Sequence, residues 1–261
     1  MVNFCTMQWD IHEGDIAYNH RKVAELVEKA CAAPLRPDAI LLPELWSTGY
    51  VLERAAELAS PGGERDAAFL AELARKYGIQ FTGGSVLSAV EGGVTHRALV
   101  IDDTGRIKAF YDKIHLVPML DEHLYLKAGR SYCHYTVGEF HCGAIICYDL
   151  RFVELLRRYA LEGAELITVA AEWPMARHEH WRTLLRARAI ENQTYIVASN
   201  HCGVKGRMSF SGSSMIIDPQ GTILADLGYS EGFATLPLDP AKVKAARTAV
   251  PVFKDRVPEV Y

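Results

Sequence analysis

The sequence predicts one α/β domain over residues 1–261. Short apolar runs typical of buried strands alternate with segments of helical periodicity along almost the whole chain. No low-complexity linker or change in composition divides it. The length suffices for one large core, and 49% hydrophobic with 23% charged residues is ordinary for a globular protein.

The N-terminal half begins with a predicted strand over Val2–Gln8. Asp15 can then cap a helix that runs to about residue 33, with Ala24, Val27 and Ala30 facing inward. The further elements predicted in this half are a buried strand at 38–43, a helix at 67–77 that stops at Gly78, and strands at 79–87, 97–102 and 106–111.

The C-terminal half continues the alternation after a strand that leads into Cys147. A hairpin is predicted from its turn, Pro219-Gln-Gly221, which separates strands at 214–218 and 222–226. The other predicted elements are a helix ending at Gly163, a strand at 165–170, a long helix at 178–193, strands at 195–199 and 233–238, and a helical tail after Asp239.

Cys147 stands where the pattern changes from strand to helix. The apolar run Gly143-Ala-Ile-Ile leads into the thiol, and Asp149 is placed to cap the following helix. The apolar face of that helix comprises Phe152, Leu155, Leu156 and Tyr159. Unpartnered N–H groups at a helix start favour a thiolate and can hold an oxyanion. The pattern is typical of a nucleophile, although many free cysteines are simply small buried hydrophobes.

The composition narrows the class of protein. A net charge of -4, a pI near 6.2 and the absence of a Lys/Arg run with interleaved aromatics exclude a sequence-independent nucleic-acid binder. No apolar run approaches bilayer length, and the first residues lack a signal-peptide pattern, so we expect no membrane partner. None of the six cysteines forms a Cys-x-x-Cys pair, which argues against structural zinc; we expect reduced thiols in a cytoplasmic protein.

Three further charged residues stand where packed strands are expected to end. Glu44 follows the buried run Leu41-Leu-Pro, where burial would raise its pKa and make it a base near neutral pH. Lys113 lies among apolar neighbours, and Glu122 follows shortly after it. Each residue alone is more simply explained as a solvent-facing side chain. Their spacing in the sequence does not show that they lie close together in the fold.

Taken in chain order, three segments resemble the catalytic segments of the nitrilase superfamily of carbon–nitrogen hydrolases. They are Leu41-Leu-Pro-Glu44, Tyr111-Asp-Lys113-Ile-His-Leu and Ile146-Cys147-Tyr-Asp-Leu-Arg151-Phe. The resemblance covers essentially the whole chain. Glu172-Trp173-Pro174 with Arg177, His180-Trp181 and the run at 186–193 resemble the ω-amidase-like branch. That branch releases ammonia from 2-oxo dicarboxylic acid monoamides such as 2-oxoglutaramate.

The resemblance implies a four-layer α-β-β-α sandwich and a role for each segment. Cys147 would be the nucleophile, Glu44 the general base and Lys113 the stabiliser of the tetrahedral intermediate. Glu122 matches a position that supports the base and the substrate amide. The backbone N–H of Tyr148 would complete the oxyanion hole with Lys113. No metal or organic cofactor is required, because Glu44 can return the thiol proton to the departing ammonia and then activate water.

The histidines offer an alternative, since a Cys–His dyad is a common thiol-hydrolase solution. The histidines that could lie near Cys147 are His115, His178, His180 and His201. We expect them to pack or to form hydrogen bonds rather than to act as a catalytic base. Lys113 and Glu44 make a histidine base unnecessary.

Substrate recognition is inferred less directly. A 2-oxo acid needs a carboxylate clamp, and Arg177, with Trp173, is the candidate; a solvated arginine at a helix start is the alternative. Glu172 would place a negative charge near the pocket. Thr95-His96-Arg97 stands where many relatives carry Tyr-Asn, so that wall of the pocket is expected to differ.

Other functions remain open at this stage. A related hydrolase could act on N-carbamoyl amino acids, aliphatic amides or nitriles, and a Cys–His peptidase is a weaker alternative. A non-catalytic scaffold of this fold would have no reason to keep four polar groups near a core. The family resemblance implies a homodimer or higher homo-oligomer, with a tail at 247–261 that reaches across a subunit interface.

Overall fold

The computed structural model describes residues 1–205 and 208–260, in which two large β-sheets face each other. The strands are β1 Val2–Gln8, β2 Ala39–Leu41, β3 Ser60–Pro61, β4 Gln80–Val90, β5 Gly93–Ile101, β6 Ile107–Asp112, β7 His134–Val137, β8 Phe140–Ile146, β9 Leu166–Ala171, β10 Tyr195–Asn200, β11 Cys202–Lys205, β12 Met208–Ser211, β13 Met215–Ile217, β14 Ile223–Asp226 and β15 Gly232–Leu238. The α-helices are α1 Ile16–Ala32, α2 Ala55–Leu58, α3 Glu64–Tyr77, α4 Glu122–Tyr125, α5 Val153–Leu161, α6 His178–Asn192 and α7 Ala241–Ala249.

Each sheet has parallel strands at its centre. The first runs β15-β1-β2-β4-β5-β6, with β3 paired to β4, and the second runs β14-β13-β10-β9-β8-β7. Strands β1, β2 and β4 are parallel, as are β8, β9 and β10, whereas the outer pairs are antiparallel. Because parallel strands end at the same edge of a sheet, residues that follow β8, β9 and β10 emerge together.

The helices cover the outer faces of the two sheets. Helices α1 and α3 pack on the first sheet in a buried cluster that includes Val27 and Leu70. Helices α5 and α6 pack on the second sheet in a cluster that includes Leu156 and Leu185. These contacts follow the apolar stripe of each helix. The four-layer α-β-β-α arrangement implied by the resemblance is therefore confirmed.

A few buried hydrogen bonds join the two sheets across their otherwise apolar interface. Thr6 Oγ1 donates to the carbonyl of Ala198 at 2.8 Å, and Ser199 Oγ donates to the carbonyl of Met7 at 2.5 Å. Both bonds connect β1 with β10. They satisfy polar side chains that would otherwise be costly to bury, and they fix how the sheets are aligned.

Local sequence signals set several boundaries correctly. Strand β1 has the predicted bounds, and Asp15 caps α1 by accepting a hydrogen bond from the N–H of Tyr18 at 2.9 Å. Helix α3 starts three residues earlier than predicted but ends before Gly78, whose φ of 58° is the left-handed conformation that favours glycine. The predicted hairpin is present as the antiparallel pair β13–β14.

The predicted capping of α5 by Asp149 is wrong. Residues Cys147–Arg151 form a 3₁₀ turn, and α5 begins only at Val153 without a side-chain cap. The Asp149 carboxylate instead accepts a hydrogen bond from the N–H of Ile146 at 3.0 Å, in front of the turn. Apolar spacing after Cys147 could not distinguish one turn of 3₁₀ helix from the start of an α-helix.

Within the described residues, no helix combines the length and apolar character needed to cross a bilayer. Of the tail predicted to reach across an interface, Tyr261 lies outside the described residues.

Candidate active site

Cys147 lies at the carboxyl end of β8, at the point where the chain turns sharply. Its φ is 46°, a conformation that costs energy for a residue with a side chain and persists only where the surroundings impose it. The residue is 8% exposed, so the thiol is nearly enclosed. The N–H groups of Cys147 and Tyr148 belong to the first turn of the 3₁₀ segment and have no acceptor within it.

Glu44 reaches the same region from the first sheet, three residues after β2. Its carboxylate is fully buried, and Oε2 accepts a hydrogen bond of 2.6 Å from the N–H of Glu172, which follows β9. The next residue, Leu45, has a φ of 44°. The backbone is therefore strained on both sides of the cluster, at Leu45 and at Cys147.

Lys113 follows β6, and its ammonium group lies between two carboxylates. Nζ donates to Glu44 Oε1 at 2.9 Å and to Glu122 Oε1 at 2.7 Å, and all three side chains are fully buried. The backbone of Lys113 is held on the sheet because its N–H donates to the carbonyl of His96 at 2.8 Å.

Glu122 opens the short helix α4 and is held by two further donors. The hydroxyl of Tyr50 donates to Oε1, and the N–H of Val117 donates to Oε2 at 2.5 Å. Asp121, directly before it, has a φ of 55°. The structure thus brings together Glu44, Lys113, Glu122 and Cys147, which lie far apart in the sequence.

Burial and mutual charge set the protonation of these groups. Burial raises the pKa of the Cys147 thiol well above its ordinary value, and the negative charge of Glu44 raises it further, although Lys113 opposes the shift. Burial also raises the pKa of Glu44, with Lys113 again opposing. For Lys113, burial lowers the pKa, but Glu44 and Glu122 more than offset this, so the net shift is upward.

The Cys147 thiol and the Glu44 carboxylate interact directly, and burial raises the pKa of both groups. The N–H groups of the turn are expected to favour a thiolate, whereas burial and the negative charge of Glu44 act in the opposite direction on the pKa of Cys147. A base in contact with the thiol must remove its proton before it can react, and Glu44 has that contact.

His96 lies beside this cluster. From the sequence it was expected only as part of a pocket wall. Its Nδ1 is 3.8 Å from Glu44 Oε1 and 3.9 Å from Glu122 Oε1. Burial, together with the positive charge of Lys113, lowers the pKa of His96 well below its ordinary value, so the ring is neutral.

The two carboxylates and the imidazole present ligand atoms within 4.8 Å of one another, a spacing that could suit a metal ion. However, Lys113 Nζ is already hydrogen-bonded to both carboxylates. The cation that these acids bind is therefore the lysine itself.

A cavity of about 320 Å³ opens above Cys147. Its walls are mainly apolar, and the lining includes Val117, Met119, Leu120, Tyr148, Trp173, Pro174, Met208 and Phe210. The charged residues of the lining are two arginines, Arg151 and Arg177, and two acids, Glu13 and Glu172. Such a mixture, mostly apolar with a few charged groups, is typical of a small-molecule site.

The predicted substrate-binding residues both line this cavity. Trp173 is buried, and its indole N–H donates to the carbonyl of Arg177 at 2.8 Å, so the ring offers the substrate a face rather than a donor. The side chain of Arg177 is exposed at the rim. Arg151, for which no role was predicted, stacks its guanidinium 4.6 Å from the centre of the Trp173 ring.

Three of the four histidines that were expected to have no catalytic role, His115, His178 and His201, do pack or form hydrogen bonds. His115 Nδ1 pairs with Asp149 Oδ1 at 2.7 Å, and His178 packs against the Tyr229 ring. His201 Nδ1 lies 3.0 Å from Glu172 Oε2. Glu172 therefore lines the cavity as predicted, but one of its oxygens is turned to a histidine.

Comparison with known proteins gives a consistent result. The family model described as carbon-nitrogen hydrolase matches residues 4–248. The 2-oxoglutaramate amidase of Bacillus subtilis (strain 168) is 37% identical over 255 residues, covering 98% of this chain and 97% of the relative. Omega-amidase YafV of Escherichia coli (strain K12) is 36% identical over 189 residues, 72% of each chain.

A solved structure shows the same fold. XC1258 from Xanthomonas campestris, a CN-hydrolase superfamily protein with an arsenic adduct in its active site, matches with a TM-score of 0.92 at 29% identity. The match covers 98% of this chain and 97% of that one.

Proposed function

This chain belongs to the carbon–nitrogen hydrolase family, and we propose that it removes ammonia from the terminal amide of 2-oxo dicarboxylic acid monoamides, such as 2-oxoglutaramate and 2-oxosuccinamate. The observation that carries the proposal is a thiol at the floor of a cavity, in contact with a buried Glu44–Lys113–Glu122 cluster. The names of the relatives supply the substrate class.

The first half-reaction forms a thioester on Cys147. Glu44 takes the thiol proton, and the sulfur attacks the amide carbon, so that the carbonyl oxygen becomes negative. Lys113 Nζ and the N–H of Tyr148 stabilise this oxyanion, each well-placed donor lowering the barrier by about 3–4 kcal/mol. Glu44 then transfers its proton to the nitrogen as the C–N bond breaks, and ammonia leaves.

The second half-reaction regenerates the thiol. Glu44, again a carboxylate, accepts a proton from a water molecule that attacks the thioester carbon. The resulting tetrahedral intermediate uses the same oxyanion donors and collapses with cleavage of the C–S bond. The proton returns from Glu44 to the sulfur, and the new carboxylic acid gives its remaining proton to solvent as the dicarboxylate is released.

Glu122 acts on the reaction through Lys113. Its Oε1 accepts from Lys113 Nζ at 2.7 Å, so one of the three ammonium protons is fixed there and a second on Glu44. The third proton is then oriented by the first two, which prepares it for an oxyanion. Tyr50 and Val117 hold Glu122 in turn.

The substrate's distal carboxylate is assigned to Arg177 and Arg151. Both line the cavity that opens on Cys147, and a guanidinium matches a carboxylate with two parallel donors. Arg151 is the better preorganised of the two, because its guanidinium already rests on the Trp173 ring. Trp173 supplies the flat wall against which the carbon chain lies.

Ammonia release from 2-oxoglutaramate and 2-oxosuccinamate, with wild type and Cys147→Ala compared side by side, tests the proposal. Turnover by the wild type and none by the variant is the expected result. If the wild type hydrolyses neither substrate but turns over N-carbamoyl amino acids, aliphatic amides or nitriles, the proposed substrate class is wrong. Full activity of Cys147→Ala would contradict the mechanism.

We also propose that the enzyme works as a homodimer or higher homo-oligomer in the cytoplasm. Exposed apolar side chains on α5 and the tail support self-association; they include Val153, Leu161, Val250 and Val257. Six free cysteines, one of them the proposed nucleophile, suit a reducing compartment. Light scattering coupled to size exclusion measures the mass, and a monomer at micromolar concentration would contradict the oligomer.

A further inference from the structure

His96 lies on β5 with its ring fully buried behind the catalytic carboxylates. Its Nδ1 faces Glu44 Oε1 at 3.8 Å and Glu122 Oε1 at 3.9 Å. Within the described part of the chain, Nδ1 has no hydrogen-bond partner. A buried imidazole nitrogen directed at two carboxylate oxygens, rather than at a partner of its own, needs an explanation.

The contacts of the ring identify which nitrogen carries the proton. The N–H of Leu45 donates to Ser85 Oγ at 2.9 Å, and Ser85 Oγ lies 2.7 Å from His96 Nε2. The serine hydroxyl accepts from Leu45 and still has a proton and a second lone pair, so it can pair with Nε2 in either tautomer of the ring. A lone pair on Nδ1 would face the lone pairs of two carboxylates, so the neutral ring is favoured with its proton on Nδ1.

The charges of the cluster give that proton a role. One ammonium, Lys113, serves two carboxylates, Glu44 and Glu122, which leaves a negative charge in excess at a site shielded from water. Unbalanced buried charge is costly unless dipoles are directed at it. The Nδ1–H of His96 is such a dipole, although 3.8 Å is too long for a direct hydrogen bond.

We propose that His96 is a positioning residue whose neutral Nδ1–H imidazole holds Glu44 as a carboxylate aligned with Cys147. The inference rests on the proposed role of Glu44 as general base. It also accounts for the chain Leu45–Ser85–His96, which joins the strained residue after Glu44 to the back of the same carboxylate. The charged and titratable groups that face Glu44 are Lys113, Glu122, Cys147, Glu172 and Tyr50, and those that face His96 are Lys113, Glu44 and Glu122.

Two amide substitutions separate the two ring nitrogens. The amide of His96→Asn reaches approximately the place of Nδ1 and can direct an N–H at the carboxylates. The amide of His96→Gln reaches approximately the place of Nε2, so it can bond Ser85 but offers no donor at Nδ1. Both variants remain polar and smaller than or similar to the imidazole, and thermal unfolding establishes that each is folded.

The readout is the pH dependence of Cys147 alkylation by iodoacetamide, followed on the Cys147 peptide by mass spectrometry, together with that of kcat/KM. A donor facing Glu44 favours its charged form, so removing the donor moves the acid limb of both profiles to higher pH. We expect wild type and His96→Asn to coincide and His96→Gln to move upward by about half a pH unit or more. A purely structural role would lower both rates without moving the limb.

Two outcomes would overturn the proposal. One is an acid limb of His96→Gln that coincides with that of wild type. The other is an equal shift of the acid limb in His96→Asn and His96→Gln. If His96→Gln unfolds, His96→Leu takes its place, because leucine has no donor to face the carboxylates. Its acid limb is then expected to move upward, and an unmoved limb refutes the role of His96. Failure of wild type to hydrolyse amides would contradict the proposed function, whereas the alkylation profiles still test His96.

Discussion

The hydroxyl of Tyr111 donates a hydrogen bond of 2.7 Å to Asp149 Oδ2, and this bond joins β6, which leads into Lys113, to the turn that carries Cys147. The other oxygen of Asp149 accepts from the N–H of His115 at 3.0 Å. A single buried carboxylate thus sets the distance between the two segments that supply the proposed nucleophile and the ammonium group.

Replacing Asp149 should therefore disturb stability and catalysis together. Asp149→Ala leaves several buried donors unpaired, each worth about 1–3 kcal/mol, so we expect unfolding free energy to fall by about 3 kcal/mol or more. We also expect kcat to fall at least about tenfold, because a displacement of Lys113 relative to Cys147 weakens oxyanion stabilisation. Urea unfolding and steady-state kinetics measure both.

Tyr111→Phe is the matched control, since it removes the hydroxyl that donates to Asp149 and accepts from the N–H of Ile114 at 3.3 Å. The N–H groups of Ile146 and His115 keep Asp149 as their acceptor. We expect a loss of about 1 kcal/mol and a smaller effect on kcat. Equal losses in both variants would show that Asp149 does not act as a shared acceptor.

Removing Lys113 should destabilise the fold in a pH-dependent way. Lys113→Met leaves Glu44 and Glu122 buried without their cation, and breaking a buried pair costs about 3–5 kcal/mol. Loss of the ammonium raises the pKa of Glu44 further above 4.5, its ordinary value, so the folded state binds the proton more tightly than the unfolded state. The deficit should thus be largest near neutral pH and shrink as pH falls toward 4.5.

The measurement is the unfolding free energy of wild type and Lys113→Met across pH 4.5 to 8. A deficit that is constant over this range, or that grows in acid, would show that the lysine does not compensate the carboxylate charge. Lys108→Met is the control, because that lysine is exposed and bonds Thr136 outside the cluster, so its effect should be small at every pH.

The acid limb of activity should lie above the ordinary pKa of a glutamate. Glu44 must be ionised to take the thiol proton, and burial raises its pKa above 4.5. The rate should consequently fall as pH drops through that raised value. A profile of kcat/KM in the wild type measures it, and a limb at or below 4.5 would assign the base to another group. Glu44→Gln should lose activity by about 10²–10⁴-fold at all pH values.

The sequence identifies the parts of the site that local patterns encode. Cys147, Glu44 and Lys113 each follow an apolar strand, so their segments are recognisable, and parallel strands then bring their ends to one edge. Tyr50 and Ser85 carry no local signal, because their contacts with the cluster arise only when β4, β5 and α4 pack together.

Other differences from the prediction concern features that local sequence patterns do not determine. The charge of Asp149 suggested a helix cap, but its partners come from β6 and from the backbone in front of the turn, which spacing cannot show. The burial of Cys147, which raises the pKa of the thiol, likewise depends on tertiary packing that local spacing cannot show. Strands β7, β11 and β12 have four residues each, too few for an alternation of polar and apolar residues to identify them, although Gly138 marks the turn between β7 and β8.

The two arginines of the cavity should discriminate substrates by charge. Arg151→Gln removes a guanidinium that is already stacked on Trp173, and a hydrogen bond to a charged group is worth about 1.5–3 kcal/mol. We expect kcat/KM for 2-oxoglutaramate to fall about 10- to 100-fold. The effect of Arg177→Gln should be smaller, since its exposed side chain is less preorganised and better screened.

A neutral amide of similar length provides the control for both variants. Butanamide has no carboxylate for a guanidinium to bind, so its kcat/KM should change less than about threefold in Arg151→Gln and Arg177→Gln. Equal losses on the neutral and the anionic amide would mean that the arginines shape the cavity rather than bind the carboxylate. A larger loss in Arg177→Gln than in Arg151→Gln would instead place the clamp at the rim, because stacking on Trp173 would then hold Arg151 away from the substrate.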